Sequence, residues 1–287
     1  MERRRKIIIR VCIILALLNA LVWYFVFTES PHALSVSFLN VGQGDAIFIE
    51  APNGSQVLID GGPANGAVLR ELAKVMPIYD RYIDVVIATH PDADHIGGLN
   101  EVFKRFQIGL LLESGLSKDT GIFLAEEKTI TENKIKHINA RRGMKLDLGG
   151  GAVLTILFPD RDLPSTVDAN DGSITALLSY KKETFLFTGD APQKIEKYLV
   201  ALDGKNLDID VLKAGHHGSK TSTSDIFLRA TTPVYTIISA GENNRYGHPH
   251  ADTLARLRTA STTVLRTDEL GTITFKTDGK ERILEYK

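Results

Sequence analysis

The stretch Thr89-His90-Pro91-Asp92-Ala93-Asp94-His95-Ile96-Gly97-Gly98 places two imidazoles and two carboxylates within six residues. It follows a continuous apolar run over residues 85–88, which predicts a strand buried on both faces. Apolar residues at helical spacing come next, at Leu99, Val102, Phe103 and Phe106. The polar residues therefore lie at the carboxyl end of a strand, where open α/β sheets bind ligands. A polar turn with a capping aspartate is the alternative, but it gives no reason to gather metal-competent side chains.

Composition limits the architecture to one sizeable domain with a short extension, since 43% of the 287 residues are hydrophobic and 24% are charged. The extension is N-terminal, where basic residues precede a nearly unbroken apolar run over residues 7–27. That run is long enough to span a bilayer as a helix, and Trp23 and Tyr24 suit its interface. We expect a basic tip, anchor and linker over residues 1–32 and one globular domain over 33–287.

The positive-inside rule predicts a cytoplasmic N-terminus and an extracytoplasmic domain, because the basic residues precede the apolar run and Glu29 follows it. A cleaved signal peptide, which would give a secreted protein, is the alternative. No small-x-small cleavage pattern closes the run, and this favours an uncleaved anchor in the cell membrane.

Cysteine content and charge restrict the chemistry of the domain. Cys12 is the only cysteine and lies in the apolar run, so a metal must be held by His, Asp and Asn. Outside the first ten residues, which hold five basic side chains and one acidic one, 29 basic residues face 34 acidic ones, a net charge of −5. This charge counts against a strongly basic surface for nucleic acid.

Periodicity along the chain alternates strands with helices. Strands are predicted at 34–41, 46–50, 56–59, 134–138, 153–158, 175–180, 184–188, 209–213, 234–239, around 264, and at 272–275 and 282–286. Helices are predicted at 67–76, from 96 onward, and at 123–131, 195–202 and 251–257. A basic turn with Arg141, Arg142 and Lys145 is expected to be solvated surface, with substrate phosphate binding as the alternative.

Polar clusters follow several of these strands. Asp60, the segment from His90 to His95, Asp190 and His216 each come just after a predicted strand. Since the ends of neighbouring strands meet at one edge of a sheet, we expect these side chains to converge there.

The pattern HxDxDH resembles the HxHxDH signature of the metallo-β-lactamase superfamily. The runs FLNVGQGDAIFI, LIDGG, THPDADHIGG, NDGSITALL, FLFTGD, KAGHHGS and NRYGHPH together resemble the metallo-β-lactamase-like domain of the ComEC competence family, from about Leu34 to the C-terminus. This resemblance implies an α/β fold, the αββα sandwich of two mixed sheets flanked by helices, preceded here by one transmembrane helix. With one apolar segment we expect the hydrolase-like part alone, tethered to a membrane.

The resemblance also implies two divalent metal ions, Mn²⁺ or Zn²⁺. His90 and Asp92 would face one ion, Asp94 and His95 the other, and Asp190 would bridge them. The resemblance favours His216 as the next ligand because it directly follows Gly215. His217 would then either lie behind the metal ligands and support them or face the substrate.

Two departures from the wider superfamily affect the ligand set. Asp92 stands where His is usual, and no histidine lies between His137 and His216 to serve as the ligand of the third motif. Asn170, Asp171 or Ser173 would take that place, and Asp171 is the best ligand chemically. The added oxygen ligands favour manganese.

Further roles are carried over from the resemblance. Asp60 would orient the metal loop through hydrogen bonds, and Asp45 would lie in a tight loop beside the metals with Gly42 and Gly44. Asp94 would orient the attacking hydroxide. Candidates for binding the substrate anion or protonating the leaving group are His248, Lys213 and His217, while Asn170, Ser173 and Ser219 would support the ligands and His250 is an ordinary loop residue.

These features together predict a membrane-anchored, extracytoplasmic binuclear metallohydrolase that cleaves phosphodiesters, with DNA as the substrate that the resemblance suggests. No nucleotide cofactor is expected. A phosphodiesterase acting on teichoic acid or phosphorylcholine-type substrates is one alternative, and a non-catalytic binding domain with a degenerate metal site is another. β-Lactam hydrolysis is not expected, because the enzymes that perform it keep the histidines missing here.

Overall fold

The computed structural model describes residues 2–28 and 33–286, so residues 29–32 of the expected linker lie outside the described residues. The N-terminal apolar segment forms α1 (Glu2–Thr28). Its part from Glu2 to Tyr24 is long and apolar enough to cross a membrane, and the most apolar 18 residues of this part have a mean hydropathy of 2.3. The further helices are α2 (Ala67–Val75), α3 (Ala93–Ile96), α4 (Leu99–Arg105), α5 (Gly121–Glu132), α6 (Gln193–Asp203), α7 (Asp225–Thr231), α8 (Ala251–Thr259) and α9 (Thr267–Leu270).

The first of two mixed sheets has eight strands in the order β15-β14-β1-β2-β3-β4-β5-β6. They are β1 (Leu34–Phe38), β2 (Ile47–Glu50), β3 (Gln56–Ile59), β4 (Tyr82–Ala88), β5 (Gln107–Glu113), β6 (His137–Asn139), β14 (Ile273–Thr277) and β15 (Arg282–Tyr286). Neighbours from β3 to β6 are parallel and the others antiparallel. The carboxyl ends of β1, β3, β4 and β5 therefore share one edge.

The second sheet has seven strands in the order β13-β12-β11-β10-β9-β8-β7. They are β7 (Lys145–Gly149), β8 (Ala152–Phe158), β9 (Thr175–Tyr180), β10 (Glu183–Phe187), β11 (Val211–Lys213), β12 (Tyr235–Ile238) and β13 (Thr263–Arg266). The strands from β10 to β13 are parallel, so their carboxyl ends also lie together.

The two sheets pack face to face with helices on both outer faces, which confirms the predicted sandwich. Inward-facing residues of both sheets form one core, in which the ring of Phe38 lies 6.2 Å from that of Phe187 and 6.1 Å from that of Phe275. A second apolar cluster joins the first sheet to α2, α4 and α5, and a third joins the second sheet to α6, α7 and α8. Burial on both faces of each sheet explains the continuous apolar strands.

Most predicted elements are present, but four were missed and one differs. The strand β5 and the helices α7 and α9 were not predicted, and β7 includes Lys145, which had been assigned to a turn. The helix predicted from residue 96 begins earlier and is divided into α3 and α4 at Gly97 and Gly98. The two other members of the expected basic turn form ion pairs, Arg141 with Asp162 and Arg142 with Asp203.

Close backbone packing explains why α3 ends where it does. The amide of Gly98 donates to the carbonyl of Gly62 at 2.8 Å, and the amide of Gly61 donates to the carbonyl of His95 at 2.7 Å. A side chain at Gly98 would overlap the carbonyl oxygen of Gly61, so only glycine permits this approach. The turn after β3 is thereby fixed against the turn after β4.

We predict that Gly98→Ala lowers the free energy of unfolding by about 1–3 kcal/mol, as for other overpacked sites. The matched control is Gly121→Ala at the first turn of α5, where an added Cβ has no atom within 4 Å. Urea unfolding of the full chain in detergent micelles measures both variants. Equal stability of the two variants would contradict the packing account.

Candidate metal centre

Asp60 is a buried carboxylate that connects the ends of β3 and β4 with α3. It adopts a left-handed backbone, φ 59°, directly after β3. Its oxygens accept from the amide of Thr89 at 2.8 Å and from the hydroxyl of Thr89 at 2.7 Å, and one of them lies 2.7 Å from Nδ1 of His95. A carboxylate only accepts, so His95 donates from Nδ1. In neutral His95 the lone pair therefore lies on Nε2.

The tautomer of His90 follows from the same network. Its Nδ1 lies 3.0 Å from the hydroxyl of Thr89, which already donates its single proton to Asp60. His90 must then donate from Nδ1, which leaves the lone pair on Nε2. Burial, reinforced by the charge of His95, lowers the pKa of His90 to about 4, so the ring is neutral near pH 7.

His216 and His217 follow β11 in two consecutive left-handed conformations, φ 49° and 53°. Such a backbone costs non-glycine residues roughly 1–2 kcal/mol each, a strain typical of functional sites. His217 is buried and donates from Nδ1 to the carbonyl of Ser239 at 3.0 Å. Its Nε2 lies 3.3 Å from Oδ2 of Asp94. The side chain of His216 is 28% exposed, at the rim, and its Nδ1 lies 3.3 Å from the hydroxyl of Thr221.

Asp190, at the end of β10, is the point on which the imidazoles converge. Its carboxylate oxygens lie 3.3 Å from Nε2 of His95, 3.5 Å from that of His217, 3.7 Å from that of His216 and 3.9 Å from that of His90. The amide of Asp190 donates to the hydroxyl of Ser173 at 3.1 Å, which fixes the backbone.

Several buried polar atoms at this point have no hydrogen-bond partner within the part of the chain that the structure describes. They are Nε2 of His90, His95 and His217 and Oδ1 of Asp190. One ligand atom each from Asp45, His95, Asp190 and His217 lies within 4.8 Å of all the others. Buried polar atoms are costly without partners, and imidazole nitrogens with carboxylate oxygens suit zinc or manganese. The residues present therefore fit a divalent metal ion.

The protonation states of the cluster depend on this concentration of carboxylates. Burial alone would lower the pKa of His217, but Asp190 and Asp45 outweigh it and raise the pKa to about 9. The pKa of His95 is likewise raised against its burial, by Asp190 and Asp60. Although burial opposes it, the facing imidazoles hold the pKa of Asp190 and that of Asp94 below the usual range. Protons thus balance the negative charge that a metal cation would otherwise neutralise.

Lys213 and Asp45 form a buried ion pair behind the imidazoles. Asp45 lies 3.3 Å from Nδ1 of His217 and 3.9 Å from Nδ1 of His95, on the side of the rings away from Nε2. Burial would raise the pKa of Asp45, but Lys213 and His217 lower it to about 2. Since the ammonium of Lys213 also lies 3.3 Å from the carbonyl of Gly189, it is committed to the protein and faces no open surface. The pair therefore supports the rings of His217 and His95 on their Nδ1 sides.

Two expected ligands are engaged elsewhere. Asp92 accepts from the ammonium of Lys118 at 2.6 Å, and Asp171 pairs with Lys194. The backbone amide of Asn170 donates to the side chain of Asp168 at 3.0 Å. Among the described contacts, neither Asn170 nor Asp171 contacts the histidine cluster.

Lys118 was not anticipated, because nothing in the sequence connects it to a residue 26 positions away. Ser239 was also missed, although it is the last residue of a predicted strand and so lies at the same kind of strand end as the other site residues. Its position at the end of a strand could have identified Ser239 as a residue of the site.

The rim of the site is formed by the loop before α8. The ring of His248 lies 5.5 Å from that of His216 and 6.3 Å from that of His217, and its Nδ1 is a buried atom without a described partner. Burial and these neighbouring imidazoles lower its pKa to about 4. His250 instead accepts from the amide of Lys220 at 3.0 Å, and the hydroxyl of Ser219 lies 3.0 Å from that of Thr221.

Comparison with known proteins gives a family match and two similar curated proteins. The sequence model of the metallo-beta-lactamase superfamily matches residues 39–242. ComE operon protein 3 of Bacillus subtilis (strain 168) is 31% identical over 266 residues, covering 84% of this chain and 33% of that protein. Recombination protein 2 of Haemophilus influenzae is 32% identical over 248 residues, covering 85% and 29%. The chain spans about a third of the length of these relatives.

A solved structure shows the same fold. The metallo-beta-lactamase fold protein YhfI of Bacillus subtilis matches with a TM-score of 0.56 at 14% identity, covering 85% of this chain and 99% of that one. At this identity the likeness concerns the arrangement of the sheets and helices.

We predict that Asp60→Asn weakens binding of Zn²⁺ or Mn²⁺ by about 10–100-fold, as removal of a ligand-orienting partner does at other metal sites. The amide cannot accept from Thr89 and His95 together in the present arrangement. Isothermal titration calorimetry of the full chain measures the affinity, with Asp252→Asn, at an exposed position of α8, as the control. Unchanged affinity would show that Asp60 does not orient His95.

We predict that metal affinity rises with pH between about 6.5 and about 9, because the raised pKa of His217 keeps its Nε2 protonated until the pH approaches that upper value. The ring of His90 is already neutral over this range and therefore does not contribute to the pH dependence of metal affinity. Titrations in buffers of different ionisation enthalpy report the protons released on binding. A flat affinity profile without proton release would contradict this assignment.

Proposed function

This chain belongs to the metallo-beta-lactamase superfamily, and on that premise we propose that it is a membrane-anchored, extracytoplasmic metallohydrolase that cleaves phosphodiesters, with DNA as its substrate. The observation that carries the proposal is the convergence on the carboxylate of Asp190 of three buried Nε2 atoms that have no hydrogen bond among the described residues. A purely structural core would pair these atoms with donors or acceptors of the protein. This argues against the alternative of a non-catalytic binding domain.

We assign the inner ion to Asp94, His95, Asp190 and His217, and a second ion to His90, Asp92 and His216 beside it. His217 replaces His216 as the inner ligand because it is the buried ring, with its Nδ1 fixed by a carbonyl. Asp92 would have to exchange its present contact with Lys118 for the ion in order to serve as a ligand. Bound Mn²⁺ or Zn²⁺ would activate a water molecule and stabilise negative charge on a phosphoryl oxygen.

Two residues of the open side are assigned to the reaction itself. The side chain of Asp94 is 33% exposed and lies beside His217, so it can accept a proton from water that enters the site. His248 is neutral and lies at the rim, where it can hydrogen-bond the leaving group of a substrate. Lys213 holds Asp45 in place and does not touch the substrate.

The anchor and topology extend the proposal to the whole chain. Residues 1–32 would contain the cytoplasmic tip, the spanning helix α1 and the linker, and residues 33–287 the hydrolase domain. The basic side chains Arg3, Arg4, Arg5 and Lys6 favour a cytoplasmic N-terminus and therefore an extracytoplasmic metal site.

DNA is supported by the relative named Recombination protein 2 and by the competence-type motifs. One observation favours a smaller envelope phosphodiester, such as a teichoic acid or phosphorylcholine ester, as the second candidate. Three basic side chains considered above for binding substrate phosphate are engaged in ion pairs, Arg141 with Asp162, Arg142 with Asp203 and Lys213 with Asp45. They are thus not free to bind a polyanion.

We predict that the full chain in detergent cleaves end-labelled single- or double-stranded DNA with Mn²⁺ or Zn²⁺ but not with a chelator. Asp190→Ala should reduce cleavage to the chelator level, because it removes the carboxylate shared by the imidazoles. Asp171→Ala is the matched control and should retain cleavage, since that carboxylate pairs with Lys194.

Intact DNA with a metal-loaded protein would exclude the nuclease. A p-nitrophenyl ester of phosphorylcholine, assayed in parallel, then tests the envelope substrate. Cleavage of neither substrate, or equal cleavage by Asp190→Ala, would contradict the proposed site.

A further inference from the structure

A basic and apolar surface lies at the end of the first sheet opposite the metal site; we call it the basal face. Its exposed residues are Ile78, Tyr79, Arg81, Lys104, Arg105, Lys134 and Lys136. Ile78 is 84% exposed and Tyr79 80% exposed, which is unusual for large apolar side chains in adjacent positions.

The position of the basal face follows from the register of the sheet. Tyr82 at the start of β4 is level with Gln107 at the start of β5. The loop before β4 holds Ile78 and Tyr79, and the amide of Gln107, just after α4, donates to the carbonyl of Arg81 in this loop at 2.8 Å. The end of α5 lies beside that of α4, because the side-chain amide of Asn133 donates to the carbonyl of Phe103 at 2.9 Å. The metal ligands follow the opposite ends of β4 and β10. The seven residues of β4 separate the two ends by roughly 20–25 Å.

The chain also enters the domain at the basal end. β1 is antiparallel to β2, and β2 to β3, so β1 runs in the same direction as β3 and β4. Leu34 therefore starts at the basal edge. Five residues lie between Thr28, the last residue of α1, and Leu34, and even fully extended this connection spans at most about 20 Å. If α1 crosses a bilayer, the basal edge must stay close to its surface.

The charges of the basal face are available to a partner. Within the described residues, the ammonium and guanidinium groups of Lys104, Arg105, Lys134 and Lys136 have no ion pair or hydrogen bond, and they border a cavity of about 580 Å³ beside Tyr82. Arg81 lies over the ring of Phe106 at 5.9 Å. The acidic neighbour Asp80 is engaged by the side-chain amide of Gln56 at 2.7 Å and by the amide of Tyr82. The face is thus locally cationic on an acidic domain.

We propose that the basal face binds the anionic phospholipid headgroups of the membrane in which α1 is anchored, with Ile78 and Tyr79 entering the interfacial layer. Clustered lysine and arginine side chains bind anionic headgroups, and tyrosine suits the interface. This inference rests on the proposed membrane anchoring. Contact of the basal face with the lipid places the metal site on the far side of the domain, directed away from the bilayer.

A nucleic acid is the other polyanion that such a surface could bind. The exposed Ile78 and Tyr79 beside the cations and the short connection to α1 favour the lipid surface. The metal site lies at the opposite end of β4, so a nucleic acid on the basal face would not reach it directly.

The test uses the full chain with Cys12→Ser, so that a fluorophore can be attached to a single introduced cysteine. Ile78→Cys reports on the basal face and Glu242→Cys on the exposed loop near the metal site. Each protein is reconstituted into vesicles of phosphatidylcholine alone or of equal parts phosphatidylcholine and phosphatidylglycerol, which carry a spin-labelled lipid as quencher. Flotation of the vesicles tests the anchor separately.

We expect the probe at Ile78→Cys to be quenched in the anionic vesicles and the probe at Glu242→Cys to remain unquenched. Charge reversal at the basal face, with Lys104→Glu, Arg105→Glu, Lys134→Glu and Lys136→Glu, should abolish the quenching. The matched reversal on the outer layer of the second sheet, with Lys197→Glu, Lys205→Glu, Arg229→Glu and Arg258→Glu, should retain it.

The outcomes separate this inference from the proposed function. A chain that floats with the vesicles but shows no quenching at Ile78→Cys overturns the lipid contact and leaves the anchor standing. A chain that does not float overturns both. Quenching that survives charge reversal at the basal face, together with weaker DNA retention by that variant, would identify a nucleic-acid surface instead. DNA cleavage measured in detergent should be the same for both reversal variants.

Discussion

The buried carboxylate of Asp60 is the interaction on which the site depends. It receives the amide and hydroxyl of Thr89 and the Nδ1 proton of His95. Through the hydroxyl of Thr89 it also determines which nitrogen of His90 carries a proton. One side chain therefore directs the Nε2 atoms of two imidazoles to the same point, and the glycine contacts between Gly61, Gly62 and Gly98 fix its distance from α3.

The second sheet supplies the opposite half of the site, and there the backbone conformation orients the ligand. Strained left-handed backbone after β11 turns His217 inward, and the carbonyl of Ser239 orients its ring. The buried pair of Lys213 and Asp45 supports this ring from behind, while Ser173 fixes the backbone of Asp190. Neither sheet has a complete ligand set, so the site exists only when the sandwich is packed. The strain and the unpaired polar atoms are offset elsewhere, chiefly by the apolar core between the sheets.

The fold was predictable from the sequence because strongly apolar strands and the motif blocks point to the same architecture. Asp60, His90, His95 and Asp190 were predictable because each follows a strand. The choice between His216 and His217 was not, since it depends on two left-handed residues and on the carbonyl of Ser239, which follows β12. The pairing of Asp92 with Lys118 and of Asp171 with Lys194 depends on loops that only the tertiary structure brings together. The strand β5 was missed because its apolar residues directly continue the helical pattern of α4.

The most direct test of this account is the metal content of the purified full chain after equilibration with Mn²⁺ or Zn²⁺ and removal of free ions. The account predicts that the chain retains divalent metal, that Asp171→Ala retains the same amount, and that Asp190→Ala loses it. Folded protein that takes up no metal, or equal retention by Asp190→Ala, would contradict a metal centre built on the convergence of His90, His95 and His217 at Asp190.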